Sequence, residues 1–284
     1  MGELEAAIDG GVVAYLGLIR YRNCAMSSVA AFLGAFVVTG RSIIHHLPSV
    51  GVAMVVVFAF TGAGNALNDY LDADIDRTAH PDRPLPSGRI ERVSARNISA
   101  LLFAVAVILS VPIGTYSIAI VLLSLALMLS YEFRLKKSGV SGNITIAWLT
   151  ASLFLYGAAA VGSIIPIWAF FATSFLATAG REIIKDVQDV EADRGIRRTL
   201  PMQLGNGKAM MVSSTALAGA IAISPFPFIL HQFGYLFLGF VLAADAVFAY
   251  TAALQWKSAS RAQGVAKAAM YIALLAFLVG ALEV

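Results

Sequence analysis

The chain reads Asn68-Asp69-Tyr70-Leu71-Asp72-Ala73-Asp74-Ile75-Asp76-Arg77 at the end of a long apolar run, and Lys185-Asp186-Val187-Gln188-Asp189-Val190-Glu191-Ala192-Asp193-Arg194 much later. Both segments follow the pattern DxxDxxxDR. On a helix, the three carboxylates of such a segment lie along one face, one turn apart. Like charges at this spacing destabilise a helix, so the pattern predicts a bound divalent metal or a strongly basic partner.

Magnesium fits these carboxylates well. It prefers oxygen ligands, takes one or two carboxylates, and completes its shell with water and substrate phosphates. A solvated helix end would explain either segment alone, but repetition in register favours an internal duplication whose two halves meet at one site. Each copy also continues to an Arg-x-x-Pro motif, at Arg83 and at Arg198. The predicted Mg²⁺ ligands are Asp69, Asp72, Asp76, Asp186, Asp189 and Asp193, with Asp72 and Asp189 as the essential catalytic members.

The composition is that of a membrane protein. Of the 284 residues, 59% are hydrophobic and only 13% are charged, whereas charged residues make up about a quarter of a soluble domain. Runs of about 20 apolar residues can cross a bilayer. We therefore predict an all-α membrane protein, one polytopic domain over residues 1–284, with nine transmembrane helices around a central cavity. The predicted spans lie near residues 23–40, 48–68, 95–113, 115–132, 142–162, 166–184, 208–229, 232–255 and 265–283.

The positive charges predict an orientation. In the nine-span topology, all of the 20 Lys and Arg residues except Arg41 fall on one side. The positive-inside rule then places the N-terminus and both acidic segments at the cytoplasmic face of the cell membrane. The net charge of +3 does not indicate nucleic-acid binding, because cations beside anionic lipid and an anionic substrate explain it.

Polar residues around the acids form a predicted substrate-binding collar. Arginine matches phosphate oxygens with its planar fork, and lysine supplies a point charge. The alternative is that these cations only obey the positive-inside rule, or anchor the chain at the interface beside a tyrosine. The predicted substrate-binding residues are Asn68, Arg83, Lys185, Arg198, Arg20, Asn23, Tyr131 and Lys136.

Facing acidic helix ends, a basic collar and an apolar bundle suit a molecule with a diphosphate head and a hydrocarbon tail. An isoprenyl diphosphate donor has this form. Magnesium would neutralise the leaving group so that the allylic carbon–oxygen bond can ionise. The bundle would then shelter the allylic cation from water until a lipid acceptor attacks it.

These motifs resemble the UbiA-type intramembrane prenyltransferases. The similarity rests on NDxxDxxxD at 68–76, DxxDxxxD at 186–193 and the loops RPLPSGRI and RRTLP, and it runs from about Leu18 to the C-terminus. It implies nine transmembrane helices around a cavity, with two Mg²⁺ ions between the Asp motifs. It also implies metal and diphosphate roles for Asn68 and the six aspartates, with helper roles for Arg83, Tyr131 and Lys185.

Within the superfamily, the segments 18–24 and 180–186 are similar to the archaeal digeranylgeranylglyceryl phosphate synthase branch. That branch transfers geranylgeranyl from its diphosphate to geranylgeranylglyceryl phosphate and so forms the second ether bond of archaeal membrane lipids. The Tyr-x-x-x-Lys common after helix 4 is absent, so either Arg134 or Lys136 takes the place of that lysine.

Two alternatives stay open on the sequence alone. The first is prenylation of an aromatic acceptor, such as 4-hydroxybenzoate or a quinone precursor. The second is a cation-coupled transporter, which the acid in mid-helix at Asp245 would suit. Against the transporter, the acidic segments lie at one membrane face, whereas transport sites lie near the midplane. The sequence predicts no oligomeric state.

Overall fold

The structure, a computed structural model, describes residues 2–194 and 198–283. These residues form α-helices joined by turns and short 3-10 segments, and they contain no β-strand beyond an isolated bridge between Ser138 and Arg198. The prediction of an all-α protein is confirmed. The helices are α1 Gly2–Ile19, α2 Tyr21–Thr39, α3 Leu47–Ala79, α4 Arg92–Ser110, α5 Thr115–Phe133, α6 Gly139–Ala160, α7 Trp168–Gln188, α8 Val190–Asp193, α9 Leu200–Leu204, α10 Asn206–Ile223, α11 Phe226–Ile229, α12 Tyr235–Leu254 and α13 Ala259–Leu282.

Seven helical stretches in the described residues are long and apolar enough to cross a membrane, judged by length and composition. The first, Tyr21–Thr78, contains both α2 and α3. Helix α7 is not among the seven. It coincides with a predicted span, but Arg181, Glu182 and Lys185 interrupt its apolar sequence. The arrangement of nine spans and the internal duplication therefore stay predictions.

Helix α1 was not expected from the sequence. It precedes the predicted first span and packs on α3. Its Ala14 and Leu18 are buried in a cluster with Ala66 and Ile90. A helix that docks through one apolar face needs no run of about 20 apolar residues, so α1 lacks the sequence pattern of a membrane span. The link between α1 and α2 is Arg20, whose backbone is left-handed with φ 53° and ψ 60°.

The two acidic segments differ in their backbone. The first lies wholly within α3, which has 33 residues. In the second, α7 ends at Gln188 and α8 begins at Val190, with Asp189 between them at φ −95° and ψ 7°. The expectation of one unbroken helix is therefore wrong for the second segment. Within the described residues, the Asp189 side chain makes no capping hydrogen bond to α8, and its backbone N–H donates to Lys185 O at 2.9 Å.

Candidate active site

The acidic face of α3 is neutralised by cations from other parts of the chain. Arg20, at the joint between α1 and α2, donates to Asp69 Oδ1 from Nη2 at 2.7 Å. Arg83, in the connection after α3, donates to Asp76 Oδ2 from Nη1 at 2.6 Å and lies 3.8 Å from Asp69 Oδ1. Asp69 and Asp76 are both buried. The stripe thus has the strongly basic partner that its spacing predicts.

The third carboxylate of this face contacts the connection after α5. Lys136 Nζ lies 2.5 Å from Asp72 Oδ2 and 3.3 Å from Glu132 Oε2. Asn68 Nδ2 donates to the same Glu132 carboxylate at 3.2 and 3.3 Å. The Glu132 carboxylate therefore links Asn68 of α3 to Lys136 through hydrogen bonds.

The second acidic segment is held by α6. Asn143 Nδ2 donates to Asp186 Oδ2 at 2.8 Å. Burial raises the pKa of Asp186 to about 6, the hydrogen bond from Asn143 opposes that rise, and the nearby Glu182 and Asp193 carboxylates add to it. Asp186 lies just beyond the predicted span at 166–184. Because burial disfavours the ionised form of Asp186, a cation bound beside it would stabilise that form.

Both acidic segments line one polar cavity of about 420 Å³, called here the polar cavity. Asp72 and Asp76 reach it from α3, and Asp186 reaches it from α7. The cavity brings carboxylates of both segments together, while their role as a common metal site stays a prediction. The other polar residues on its wall are Arg20, Asn68, His80, Arg83, Tyr131, Lys136, Asn143, Glu182, Lys185 and Thr199.

Other predicted residues lie elsewhere. Asp69, Asp189, Asp193 and Arg198 are not on the described wall of the polar cavity. Arg198 is exposed, and its main-chain oxygen accepts a hydrogen bond from Gly139 N at 2.9 Å. Of the two residues proposed to replace the missing lysine, Lys136 lines the cavity, whereas Arg134 is exposed and off its described wall. Arg197, a further cation after the second acidic segment, lies outside the described residues.

Several site residues were missed by the sequence analysis. Glu132, Asn143, Glu182 and Thr199 contribute to the polar cavity or its network. The available signal was their polarity inside or beside apolar helices, where polar groups are usually functional. Thr199 adds a structural signal, because its buried Oγ1 has no hydrogen-bond partner in the described part of the chain. Such a hydroxyl in a cavity wall is a donor available to an anion.

Two apolar cavities adjoin the polar cavity. The α3 cavity, of about 510 Å³, lies among α2, α3, α5 and α6 and shares Arg20, Asn68 and Tyr131 with it. The α13 cavity, of about 530 Å³, lies among α2, α6, α7, α12 and α13 and shares Glu182 with it. Asn23 lines the α3 cavity, not the polar one. Ile146 of α6 lines all three cavities, so it marks the point where they meet.

The donor set suits magnesium, although it does not form a ready-made cage. Within the described residues, no group of three or more His, Cys, Asp or Glu side chains is placed to hold a metal ion. Asp72, Asp76 and Asp186 nevertheless present carboxylates to one cavity from two helices. This matches an ion that takes one or two carboxylates and draws its remaining ligands from water and phosphate.

Asp245 lies apart from these cavities. Ser224 Oγ donates to its carboxylate, at 2.8 and 2.9 Å, from the end of the neighbouring helix α10. This hydrogen bond joins the mid-helix acid of α12 to a neighbouring helix. The carboxylate therefore has a structural partner.

Comparison with known proteins identifies the group to which the fold belongs. The model of the UbiA prenyltransferase family matches residues 27–277. The digeranylgeranylglyceryl phosphate synthase of Natronomonas pharaonis is 39% identical over 273 residues, which cover 94% of this chain and 96% of that protein.

Solved structures agree. One from work on the biosynthesis of digeranylgeranylglyceryl phosphate synthase in membranes superposes with a TM-score of 0.90 at 34% identity, over 96% of this chain and 99% of that one. A UbiA homologue from Archaeoglobus fulgidus, bound to GPP and Mg²⁺, shares the fold with a TM-score of 0.69 at 18% identity, over 95% of this chain and all of that one.

Proposed function

The chain belongs to the UbiA prenyltransferase family, and from this premise we propose that it transfers geranylgeranyl from geranylgeranyl diphosphate to geranylgeranylglyceryl phosphate. Its relatives at 34–39% identity carry the name of that synthase. The structural observation that carries the proposal is a polar cavity, lined by both acidic segments, that adjoins two apolar cavities. The two apolar cavities border each other along Ser27, Ile146, Thr150 and Leu153. Membership of a prenyltransferase family sets aside the transporter hypothesis.

The donor diphosphate occupies the polar cavity in this proposal. Arg83, Lys136 and Lys185 supply positive charge on its wall, and the buried Thr199 hydroxyl supplies a free donor. Arg83 and Lys136 are bonded to carboxylates of α3, so an incoming diphosphate exchanges these partners for phosphate oxygens. Charge-assisted hydrogen bonds of this kind are about twice as strong as neutral ones.

The donor chain occupies the α3 cavity. This cavity runs along α3 from Asn68 at its polar end to Val56 and Val57, a length of about 18 Å at the helical rise of 1.5 Å per residue. Its apolar wall excludes water from the reacting carbon. A long prenyl chain therefore fits better than a short one.

The acidic segments are the proposed magnesium site. Asp72, Asp76 and Asp186 would hold the ion from the polar cavity, with Asp69, Asp189 and Asp193 as the remaining members of the two motifs. When bound, magnesium supplies charge neutralisation of the diphosphate leaving group. The A. fulgidus homologue that shares this fold is described with GPP and Mg²⁺.

The transfer itself is a substitution at the first carbon of the prenyl chain. The bond from that carbon to the diphosphate oxygen breaks, and its electron pair leaves with diphosphate. The acceptor hydroxyl oxygen forms the new ether bond and releases its proton. The product is a phospholipid precursor with two ether-linked chains.

The chain is a multi-pass membrane protein. We propose that residues 1–284 act as one domain whose N-terminus and acidic segments face the cytoplasm, as the distribution of Lys and Arg indicates. The donor, acceptor and product then all enter and leave through the membrane. Both substrates therefore reside among membrane lipids before they bind.

A panel of acceptors tests the proposed function. Purified protein in detergent with Mg²⁺ and radiolabelled geranylgeranyl diphosphate is given geranylgeranylglyceryl phosphate, its phosphate-free alcohol or 4-hydroxybenzoate. We expect product with the phospholipid acceptor at a kcat/KM above that with either other compound. Faster prenylation of 4-hydroxybenzoate would replace the proposal with the aromatic alternative.

A further inference from the structure

The α13 cavity has a cationic end separate from the acidic segments. Arg181 of α7 and Lys267 of α13 both line it. Arg181 Nη1 donates to Glu182 Oε1 at 2.5 Å, while its buried Nε has no hydrogen-bond partner in the described part of the chain. Lys267 is exposed and forms no salt bridge within that part. The cavity therefore holds an unused donor and an uncompensated positive charge.

The two cations lie at a similar depth. Arg181 is about two turns before the end of α7, and Lys267 is about two turns after the start of α13. These helices pack together, and both of these ends belong to the side with the acidic segments. At 1.5 Å per residue, each cation lies about 10–12 Å from its helix end. Together they give this end of the cavity two cationic side chains.

The rest of the cavity wall is largely apolar. Phe170, Leu274 and Phe277 line it, and most of its surface is hydrocarbon. Met26 and Tyr271 also line it while being exposed at the outer surface, so the cavity opens between α2 and α13. A ligand for this cavity combines an anionic head with an apolar chain.

We propose that the α13 cavity binds the acceptor lipid, with its phosphomonoester on Arg181 and Lys267 and its prenyl chain along the apolar wall. This assignment rests on the proposed function. The glycerol hydroxyl then points past Glu182 and Ile146, the two residues that the α13 cavity shares with the polar cavity. There it meets the first carbon of the donor.

This placement separates the two phosphate groups. Arg20 and Lys136 belong to the predicted collar and lie beside the donor site. Arg20 is bonded to Asp69, and Lys136 is bonded to Asp72. Arg181 and Lys267 are the cations that line the α13 cavity and are absent from the described wall of the polar cavity. A diphosphate and a phosphomonoester thus bind together without sharing a cation.

The test is Lys267→Gln, with Lys257→Gln as the matched control. Both lysines are exposed, but Lys257 follows α12 and is not on the described wall of any of the three cavities. For the phosphorylated acceptor, Lys267→Gln should lower kcat/KM by about tenfold or more, the loss of one charge-assisted contact. The donor KM should stay unchanged. With the phosphate-free alcohol as acceptor, Lys267→Gln and wild type should have equal kcat/KM.

Arg181 gives an independent arm. Arg181→Gln alone leaves the half-buried Glu182 without its cation, which destabilises a protein, so the double variant Arg181→Gln/Glu182→Gln, which removes both partners, is compared with wild type for each acceptor. The double variant should show the same selective loss for the phosphorylated acceptor. Equal losses with both acceptors, or a raised donor KM in Lys267→Gln, would overturn the acceptor site. A wild type that does not prefer the phosphorylated acceptor would instead overturn the proposed function, whatever the variants do.

Discussion

At the scale of single residues, aspartates of one helix differ in role according to their burial and their partners. Asp69 is buried against Arg20 and Arg83. Asp74 is exposed and pairs with Arg92 at 3.2 Å. Between these extremes, Asp72 lines the polar cavity and bonds to Lys136. Only the last combines access to a ligand with a cation that an incoming phosphate can take over.

The contrast between Asp72 and Asp74 gives the first prediction. Asp72→Ala should reduce prenyl transfer below about a tenth of wild type, because loss of one metal ligand is seldom tolerated. Asp74→Ala removes a carboxylate of the same helix outside the cavity, and should keep nearly full activity. Both variants should elute as wild type in size-exclusion chromatography. Transfer by Asp72→Ala at saturating Mg²⁺ comparable to that of Asp74→Ala would exclude Asp72 from the metal site.

The second prediction concerns Asp186 and the pH dependence of magnesium binding. Its pKa is raised to about 6 by burial, so below that pH the carboxyl holds a proton that a metal ion must displace. Magnesium binding should therefore weaken as pH falls, by about tenfold between pH 7.5 and pH 5 for one displaced proton. Calorimetric titration of Mg²⁺ measures this, with Asp186→Asn as a variant in which this pH dependence is lost. An affinity independent of pH in wild type would contradict a ligand role for Asp186.

Spacing along the chain predicts which carboxylates share a helix face. The i, i+3, i+7 pattern predicts Asp72 and Asp76 on one face, and both line the polar cavity together with Asp186 of α7. The metal and catalytic roles of these residues stay predictions, as does the internal duplication. Spacing did not find Asn143 or Glu132, because their importance comes from neighbours distant in the chain. A polar residue in an apolar helix signals function without naming its partner.

At the scale of elements, close packing between α2 and α6 fixes two walls of the site. A Cβ on Gly157 would overlap the carbonyl oxygen of Ala31, and one on Gly34 would overlap that of Phe154. Small residues allow backbones in a membrane to approach in this way. Helix α6 also carries Asn143 and Ile146, so its position on α2 sets the geometry of all three cavities.

Gly157→Ala should therefore destabilise the protein. The added methyl group forces α2 and α6 apart, at a cost of about 1–3 kcal/mol or more. Gly239→Ala in α12 is the matched control, because its Cβ would meet open space. Thermal unfolding in detergent, followed by intrinsic fluorescence, should show a lower Tm for Gly157→Ala and an equal or higher Tm for Gly239→Ala. Equal midpoints for both variants would mean that the α2–α6 contact relaxes freely.

Contacts between residues distant in the chain also shape the elements in ways that the sequence did not reveal. Arg20 adopts a left-handed backbone, which is uncommon for a residue with a side chain. This turn ends α1 and lets Arg20 reach Asp69 in α3. Local propensity does not predict such a conformation, because the ion pair that stabilises it joins residues 49 positions apart.

At the scale of the whole molecule, the acidic segments and most of the apolar cavity volume lie in different parts of the helix bundle. The polar cavity lies at the end of the bundle that carries the acidic segments, and the two apolar cavities extend from it into the helices. Ile146 lines all three. Composition predicted a membrane protein, and the charge pattern predicted the membrane face on which the acidic segments lie. The meeting of three cavities at one residue could be seen only in the tertiary packing.

The orientation gives the last prediction. All Lys and Arg except Arg41 are assigned to the side with the acidic segments, and the positive-inside rule makes that side cytoplasmic. In a Cys24→Ser background, Asp82→Cys places a thiol in the exposed connection after α3, and Asn206→Cys places one at the exposed start of α10. Ile165→Cys places one in the exposed connection between α6 and α7, at the opposite end.

An impermeant maleimide added to intact cells should label the thiol at 165 and leave those at 82 and 206 unlabelled. Opening the membrane with detergent should make all three reactive, which shows that each site is accessible once the reagent reaches it. The reverse pattern in intact cells would place the acidic segments outside. Magnesium and the donor diphosphate would then have to be supplied from the external side, so the proposed route of the substrates would fail together with the orientation.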